Sequence, residues 1–140
     1  MHITPYLTFD GTCAEAFRFY EQALGGQIVM MMTHGEAPPT ADMPPVDPKS
    51  IMHAQLKVGE GTLMASDAMS GRGQPMAGFY VSLMPATIAE AERIWAALTE
   101  GGEVRMPLGP TFWSPRFGMV ADKFGTPWMV NCTEGMPGPG

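Results

Sequence analysis

"TCAEAFRFYEQALGG" (residues 12–26) decides how this chain folds, because its pattern returns 75 residues later as "TIAEAERIWAALTEGG" (residues 87–102). Both stretches open Thr-x-x-Glu, the order of a capping box, in which a hydroxyl and a carboxylate satisfy the free amides at a helix start. After the first, Ala16, Phe17, Tyr20, Ala23 and Leu24 recur at helical spacing, with Glu15, Arg18 and Glu21 on the opposite side. After the second, Ala91, Ile94, Trp95 and Leu98 do the same. Each stretch ends in a glycine pair, Gly25-Gly26 and Gly101-Gly102, suited to a left-handed helix end. The spacing predicts helices over residues 12–24 and 87–100.

The neighbourhoods of the two helices also match. Residues 3–9 and 79–84 read as short strands upstream, and residues 27–30 and 103–106 as β runs opened by the glycine pairs. Further on, residues 51–58 and 62–66 read as two strands joined at Gly59-Glu60-Gly61. Residues 117–121 and 128–132 are their counterparts, and the turn itself recurs as Gly61-Thr62 and Gly125-Thr126. Each half therefore reads strand, helix, strand, strand, strand. The expected class is α+β: two βαβββ modules, about residues 1–70 and 76–134, in a single domain spanning 1–140. One four-stranded sheet with one helix leaves a face and its edges open. Two such units are expected to form curved mixed sheets around a cleft, the kind of concavity where small ligands bind. Residues 34–49 hold five prolines and read either as an ordered loop beside the cleft or subunit edge or as a disordered insert.

Bulk composition narrows the function classes. A chain of 140 residues, 45% hydrophobic and 16% charged, is long enough to bury its own core. A net charge of −6 with only eight basic residues argues against nucleic acid as a partner. No apolar run reaches the length of a membrane span, and the first residues lack the basic-then-apolar order of a secretory signal. Cys13 and Cys132 alone make no disulfide framework. A soluble, cytoplasmic protein without membrane contact is expected.

The residues inside this repeat carry a resemblance. Pro5-Tyr6-Leu7, residues 14–20, Gly25-Gly26, His53-Ala54-Gln55-Leu56 and residues 63–67 belong to it. So do Phe112-Trp113, Phe117-Gly118, Asp122-Lys123-Phe124-Gly125 and Trp128. Together they span nearly the whole chain, which resembles the vicinal oxygen chelate superfamily (the glyoxalase, bleomycin-resistance and dioxygenase fold) and, within it, the PhnB-like group. The resemblance implies two βαβββ modules and a homodimer. It also implies, for the superfamily's enzymes, a divalent metal held by His, Glu or Gln on the first and last strands of each module. In an ungapped reading those positions fall near Pro5, Gly78 and Met129, flanked by Tyr6, Phe79, Trp128 and Val130. None is an ordinary ligand for such an ion, so no metal and no cofactor is expected. Some relatives are named for methylating a quinone precursor. A methyl-donor nucleotide site needs a glycine-rich strand-to-helix turn, and Gly71-Arg72-Gly73 lacks that context.

Candidate ligand-contacting residues remain. His53 and Gln55 alternate out of the apolar series Met52, Ala54, Leu56 and Val58, which puts them on the sheet face away from the helix. His53 reads either as a structural histidine or as a ligand contact; as a general base it shows no orienting partner in the sequence. Phe112 and Trp113 read either as a plug between modules or as a pocket wall for a flat ligand, and Arg116 either as a surface residue or as a contact for an anionic group. Fourteen methionines suit core filling or an adaptable pocket. Cys13, in a first helical turn, is read as structural, although a helix start favours thiolate.

Three functions stay open: metal-free binding of a small molecule of unknown identity; a lyase, isomerase or oxygenase with a non-standard site; and a structural or regulatory homodimer without a ligand.

Overall fold

Two helices of equal length form where the repeat puts them, α1 over Cys13–Leu24 and α2 over Ile88–Thr99. The computed structural model describes residues 1–38, 46–69 and 72–136. Pro39, Pro44 and Pro45 of the proline-rich segment and Gly71 lie outside these. The chain divides into two units, Met1–Gln74 and Pro75–Gly140. The first holds β1 (Tyr6–Phe9), α1, β2 (Gln27–Thr33), β3 (Ile51–Val58) and β4 (Gly61–Asp67). The second holds β5 (Val81–Leu83), α2, β6 (Glu103–Gly109), β7 (Phe117–Ala121) and β8 (Pro127–Asn131).

Each unit builds an open four-stranded sheet, ordered β1-β4-β3-β2 in the first and β5-β8-β7-β6 in the second. In both, the strand before the helix pairs in parallel with the unit's last strand, and the remaining pairs are antiparallel. The two units thus share one topology, and the α+β architecture of two βαβββ modules is the observed one. The leading strands are shorter than the sequence suggested. Pro5 has no amide to give a ladder and precedes β1, although its carbonyl still accepts from Met64 N at 3.1 Å. In the second unit Gly78 turns with a φ of 80°, and the strand begins only at Val81.

The helices bury the faces their spacing marked. Ala16, Phe17, Tyr20, Ala23 and Leu24 are buried on α1, and Leu7, Phe9, Ala54, Leu56, Leu63 and Ala65 on the sheet beneath. Phe9 meets the Phe17 ring edge-on at 6.4 Å. On α2 the buried set is Ala91, Ile94 and Leu98. The glycine pairs do two jobs. Gly25 and Gly101 take φ values of 68° and 72°, the left-handed turn that ends each helix. Their followers lie hard against the sheet: a Cβ on Gly26 would sit 2.8 Å from Lys57 O, and one on Gly102 2.5 Å from Ala121 O.

The capping pattern at Thr12 is not realised. Thr12 has φ −111° and ψ 11° and its side chain makes no capping bond. The buried Asp67 carboxylate at the end of β4 does the work instead, accepting from Cys13 N at 3.0 Å and from Ile51 N at 2.8 Å. An ionised acceptor at the positive end of a helix is stronger than a hydroxyl. In the second unit Thr87 does cap, accepting from Glu90 N at 3.1 Å, while Glu134 takes the preceding amide, Ile88 N, at 2.7 Å. A complete capping box appears where none was foreseen, between Thr33 and Glu36 around a short 3-10 turn at the head of the proline-rich segment.

The aromatic-glycine stretch near the C-terminus is organised by a second buried carboxylate. Asp122 Oδ1 accepts from Phe124 N at 2.8 Å and Thr126 N at 3.1 Å, and its Oδ2 accepts from Trp128 Nε1 at 2.8 Å. The Asp-Lys-Phe-Gly-Thr-Pro-Trp run is therefore a locked hairpin between β7 and β8.

Two stability predictions follow from the carboxylate at α1. Thr12→Ala should change unfolding free energy by less than about 0.5 kcal/mol, whereas Thr87→Ala should cost ~1 kcal/mol; Asp67→Ala should cost ~1–3 kcal/mol for each of the two amides it strands. Urea titration of the three variants checks the order. Burial, and then the Asp67 charge, push the Cys13 thiol up from 9.0 to about 12. A thiol held neutral in the fold but free to ionise when unfolded favours the fold fully below pH 9, and that contribution is lost as pH rises from there towards 12. Between pH 9 and 11 the melting temperature of the wild type should fall further than that of Cys13→Ala.

Candidate functional site

In the first unit, alternation sends Leu7 and Phe9 towards α1 and Tyr6 and Thr8 to the opposite face. On β3 the buried Ala54 and Leu56 face the helix side, and His53 and Gln55 lie half-buried on the other. On β4, Met64 alternates with the buried Leu63 and Ala65. Backbone register then sets a row across the helix-free face, with Tyr6 beside Met64, Met64 beside Gln55 and Gln55 beside Met30. His53 is paired with Met32.

One polar contact spans this face. The Tyr6 hydroxyl lies 3.1 Å from His53 Nδ1, and the two rings stack with centroids 5.7 Å apart and planes 25° apart. The phenol reaches from β1 over the intervening β4. It supplies the orienting partner that the sequence did not reveal for His53. The signal was present: Tyr6 alternates with Leu7 and Phe9 just as His53 alternates with Ala54. With Nδ1 engaged by the phenol, Nε2 is the ring nitrogen left to meet another molecule. Tyr6 is half-exposed, and Met30 lies open at the sheet edge, so the polar pair is flanked by flexible apolar side chains.

The second unit carries the other candidates. A Cβ on Gly118 would stand 2.7 Å from the Trp95 ring of α2, so Gly118 faces the helix, and Phe117 and Met119 face away from it. Trp113 meets Phe117 edge-on at 5.2 Å and Phe112 at 4.8 Å. Phe112 is almost fully exposed and Trp113 is 39% exposed. The loop bearing them is fixed at its base, because the buried Ser114 Oγ lies 2.8 Å from Cys132 O and 2.9 Å from Arg116 O, with its one hydroxyl proton shared between the two carbonyls. Arg116 is already engaged: its Nε is 3.2 Å from Glu92 Oε1 and its Nη1 donates to Pro115 O at 2.7 Å. Thus His53 and Gln55 share a face of the first unit, and Phe112 and Trp113 form a ring cluster in the second.

The residues onto which the ungapped reading carries the superfamily's metal positions do not fit a divalent ion. Pro5 and Gly78 carry no donor side chain, and Met129 offers only a thioether. Among the described residues, no three His, Cys, Asp or Glu side chains gather to hold one. Also among the described residues, no helix is long and apolar enough to cross a membrane. Cys13 and Cys132 are free and buried.

Comparison with known proteins agrees with this fold. Residues 2–130 match the Glyoxalase/Bleomycin resistance protein/Dioxygenase superfamily. The chain is 32% identical to protein YjdN of Escherichia coli (strain K12), over 98% of this chain and 99% of that one. Protein PA1353 of Pseudomonas aeruginosa, a solved structure, is 49% identical with a TM-score of 0.85, covering 94% of this chain and 97% of that one. The putative 3-demethylubiquinone-9 3-methyltransferase, PhnB protein, of Bacillus cereus shares the fold at 23% identity and a TM-score of 0.77, over 94% and 99% of the two chains. The chain belongs to the Glyoxalase/Bleomycin resistance protein/Dioxygenase superfamily.

Proposed function

We propose that this chain is a metal-free, PhnB-like binding protein that holds a small organic molecule against the helix-free face of its first module. The observation that carries the reading is the Tyr6–His53 pair, 3.1 Å between hydroxyl and Nδ1, set among Met30, Met64 and Gln55. A pre-oriented imidazole and an amide fix the polar groups of a ligand, and thioethers accommodate its apolar part. In the second module the exposed Phe112 and Trp113 rings form a separate stacking surface of their own, and Arg116 there meets an anionic group only by exchanging its bond with Glu92. The Tyr6 hydroxyl and the stacked imidazole hold each other in place, which leaves Nε2 to meet a polar group of the ligand.

We also assign the protein to the cytoplasm as a homodimer. Two free buried cysteines suit a reducing compartment. The outer strands β2 and β6 expose Val29 and Met30, and Val104 and Met106, apolar edges that a second copy would cover. Sedimentation equilibrium at micromolar concentration should return twice the 15.1 kDa chain mass, and a monomer there counts against the pairing.

The binding reading is tested by a thermal-shift screen of a metabolite library. At least one compound should raise the melting temperature by about 5–10 °C at a hundredfold excess over its Kd. His53→Ala should abolish most of that rise while leaving the ligand-free melting temperature within about 2 °C of wild type. A rise that survives His53→Ala in full, or a library without any stabilising compound, would defeat the proposal.

A further inference from the structure

Asn131 closes β8 in the second unit, and its side-chain Oδ1 is excluded from solvent with no hydrogen-bond partner. It is the one side-chain atom of that kind among the described residues. Buried acceptors are nearly always satisfied, because leaving one unmade forfeits its hydration without return. An orphaned acceptor therefore calls for a donor.

Its surroundings say which kind. Asn131 lies directly across from Phe117 in the β7–β8 ladder. Cys132 N donates to Arg116 O at 2.9 Å, which makes 116 and 132 the hydrogen-bonded pair. Phe117 and Asn131 are then the adjacent non-bonded pair, the kind whose side chains stand closer. Both face away from α2, as do Met119 and Met129, which are paired two residues along the same strands. Trp113 meets Phe117 edge-on at 5.2 Å and keeps part of its surface open. The group thus comprises one unmet acceptor, an aromatic wall of two rings and two flexible thioethers able to move aside. No side-chain cation belongs to it, so a neutral donor suits it better than an anion.

We propose that Asn131, Phe117, Trp113, Met119 and Met129 form a subsite for a planar aromatic molecule bearing a ring N–H. The ring lies against Trp113 and Phe117, and its N–H donates to Asn131 Oδ1. The subsite deepens the binding reading above and rests on it, since it assigns a ligand class to a helix-free sheet face. It uses different residues, in the other unit, from the Tyr6–His53 pair.

Indole and benzofuran make the test, because they share a shape and differ in the N–H. Amide chemical-shift titrations of the full chain would follow both. Indole should shift residues 113, 117, 119, 129 and 131 and bind on the order of tenfold tighter than benzofuran, the ratio expected when one probe satisfies a buried acceptor and the other leaves it unmet. In Asn131→Leu that preference should vanish, and the ligand-free melting temperature should not fall, because the substitution removes an acceptor that had no partner. Trp113→Ala should weaken both probes together. Equal affinity for the two probes, no indole binding at millimolar concentration, shifts confined to other residues, or a preference that persists in Asn131→Leu would each overturn the subsite. A His53-dependent compound from the thermal screen, found beside any of those results, would leave the binding reading standing and remove only this one.

Discussion

The Asp67 carboxylate is the interaction on which the first module turns. It is almost fully buried at the end of β4, yet it binds the first amide of α1 and the first amide of β3. A charge so placed is costly unless its oxygens are satisfied, and here each oxygen takes a backbone N–H. The positive end of the helix adds to the attraction. One side chain thereby fixes where α1 and β3 begin relative to the end of β4. That joint positions β1 and β3, and with them Tyr6 and His53, on a common sheet.

The second module solves the same problem differently. Its topology repeats the first strand for strand, but its helix is capped by Thr87 and by Glu134 from beyond β8. Its buried carboxylate, Asp122, is spent on the β7–β8 turn and on the indole N–H of Trp128. The aromatic-glycine stretch that carries part of the family resemblance is, over residues 122–128, hairpin architecture. The repeat therefore resides in topology and in the glycine pairs, while the polar joints differ. The two helix-free faces differ as well, one carrying a stacked phenol and imidazole, the other a methionine row beside Asn131.

Much of the architecture was legible because it depends on local chemistry. Helical spacing, glycine pairs and alternating strands mark which faces bury apolar area, and the helices begin and end within a residue of the expected positions. His53 and Gln55 were placed on the face away from the helix by alternation alone, and they lie there. What local pattern misjudged was competition. Thr12 and Glu15 form a correct capping sequence, yet an acid 55 residues away from the threonine takes the helix start. A charged acceptor outcompetes a hydroxyl, and nothing near Thr12 announces it.

By itself, then, the sequence determined the class, the two-module repeat and the faces on which candidate residues stand, since these follow from periodicity and composition, while the family followed from resemblance to known relatives. Only the tertiary structure decided which side chains meet. Tyr6 and His53 are 47 residues apart, Ser114 and Cys132 are 18 apart, and Arg116 reaches back to Glu92. Such contacts depend on strand order and register, which bring distant positions within hydrogen-bond reach. No one-dimensional pattern encodes them, because β4 lies between β1 and β3 through a parallel pairing with β1 that no local stretch of sequence specifies.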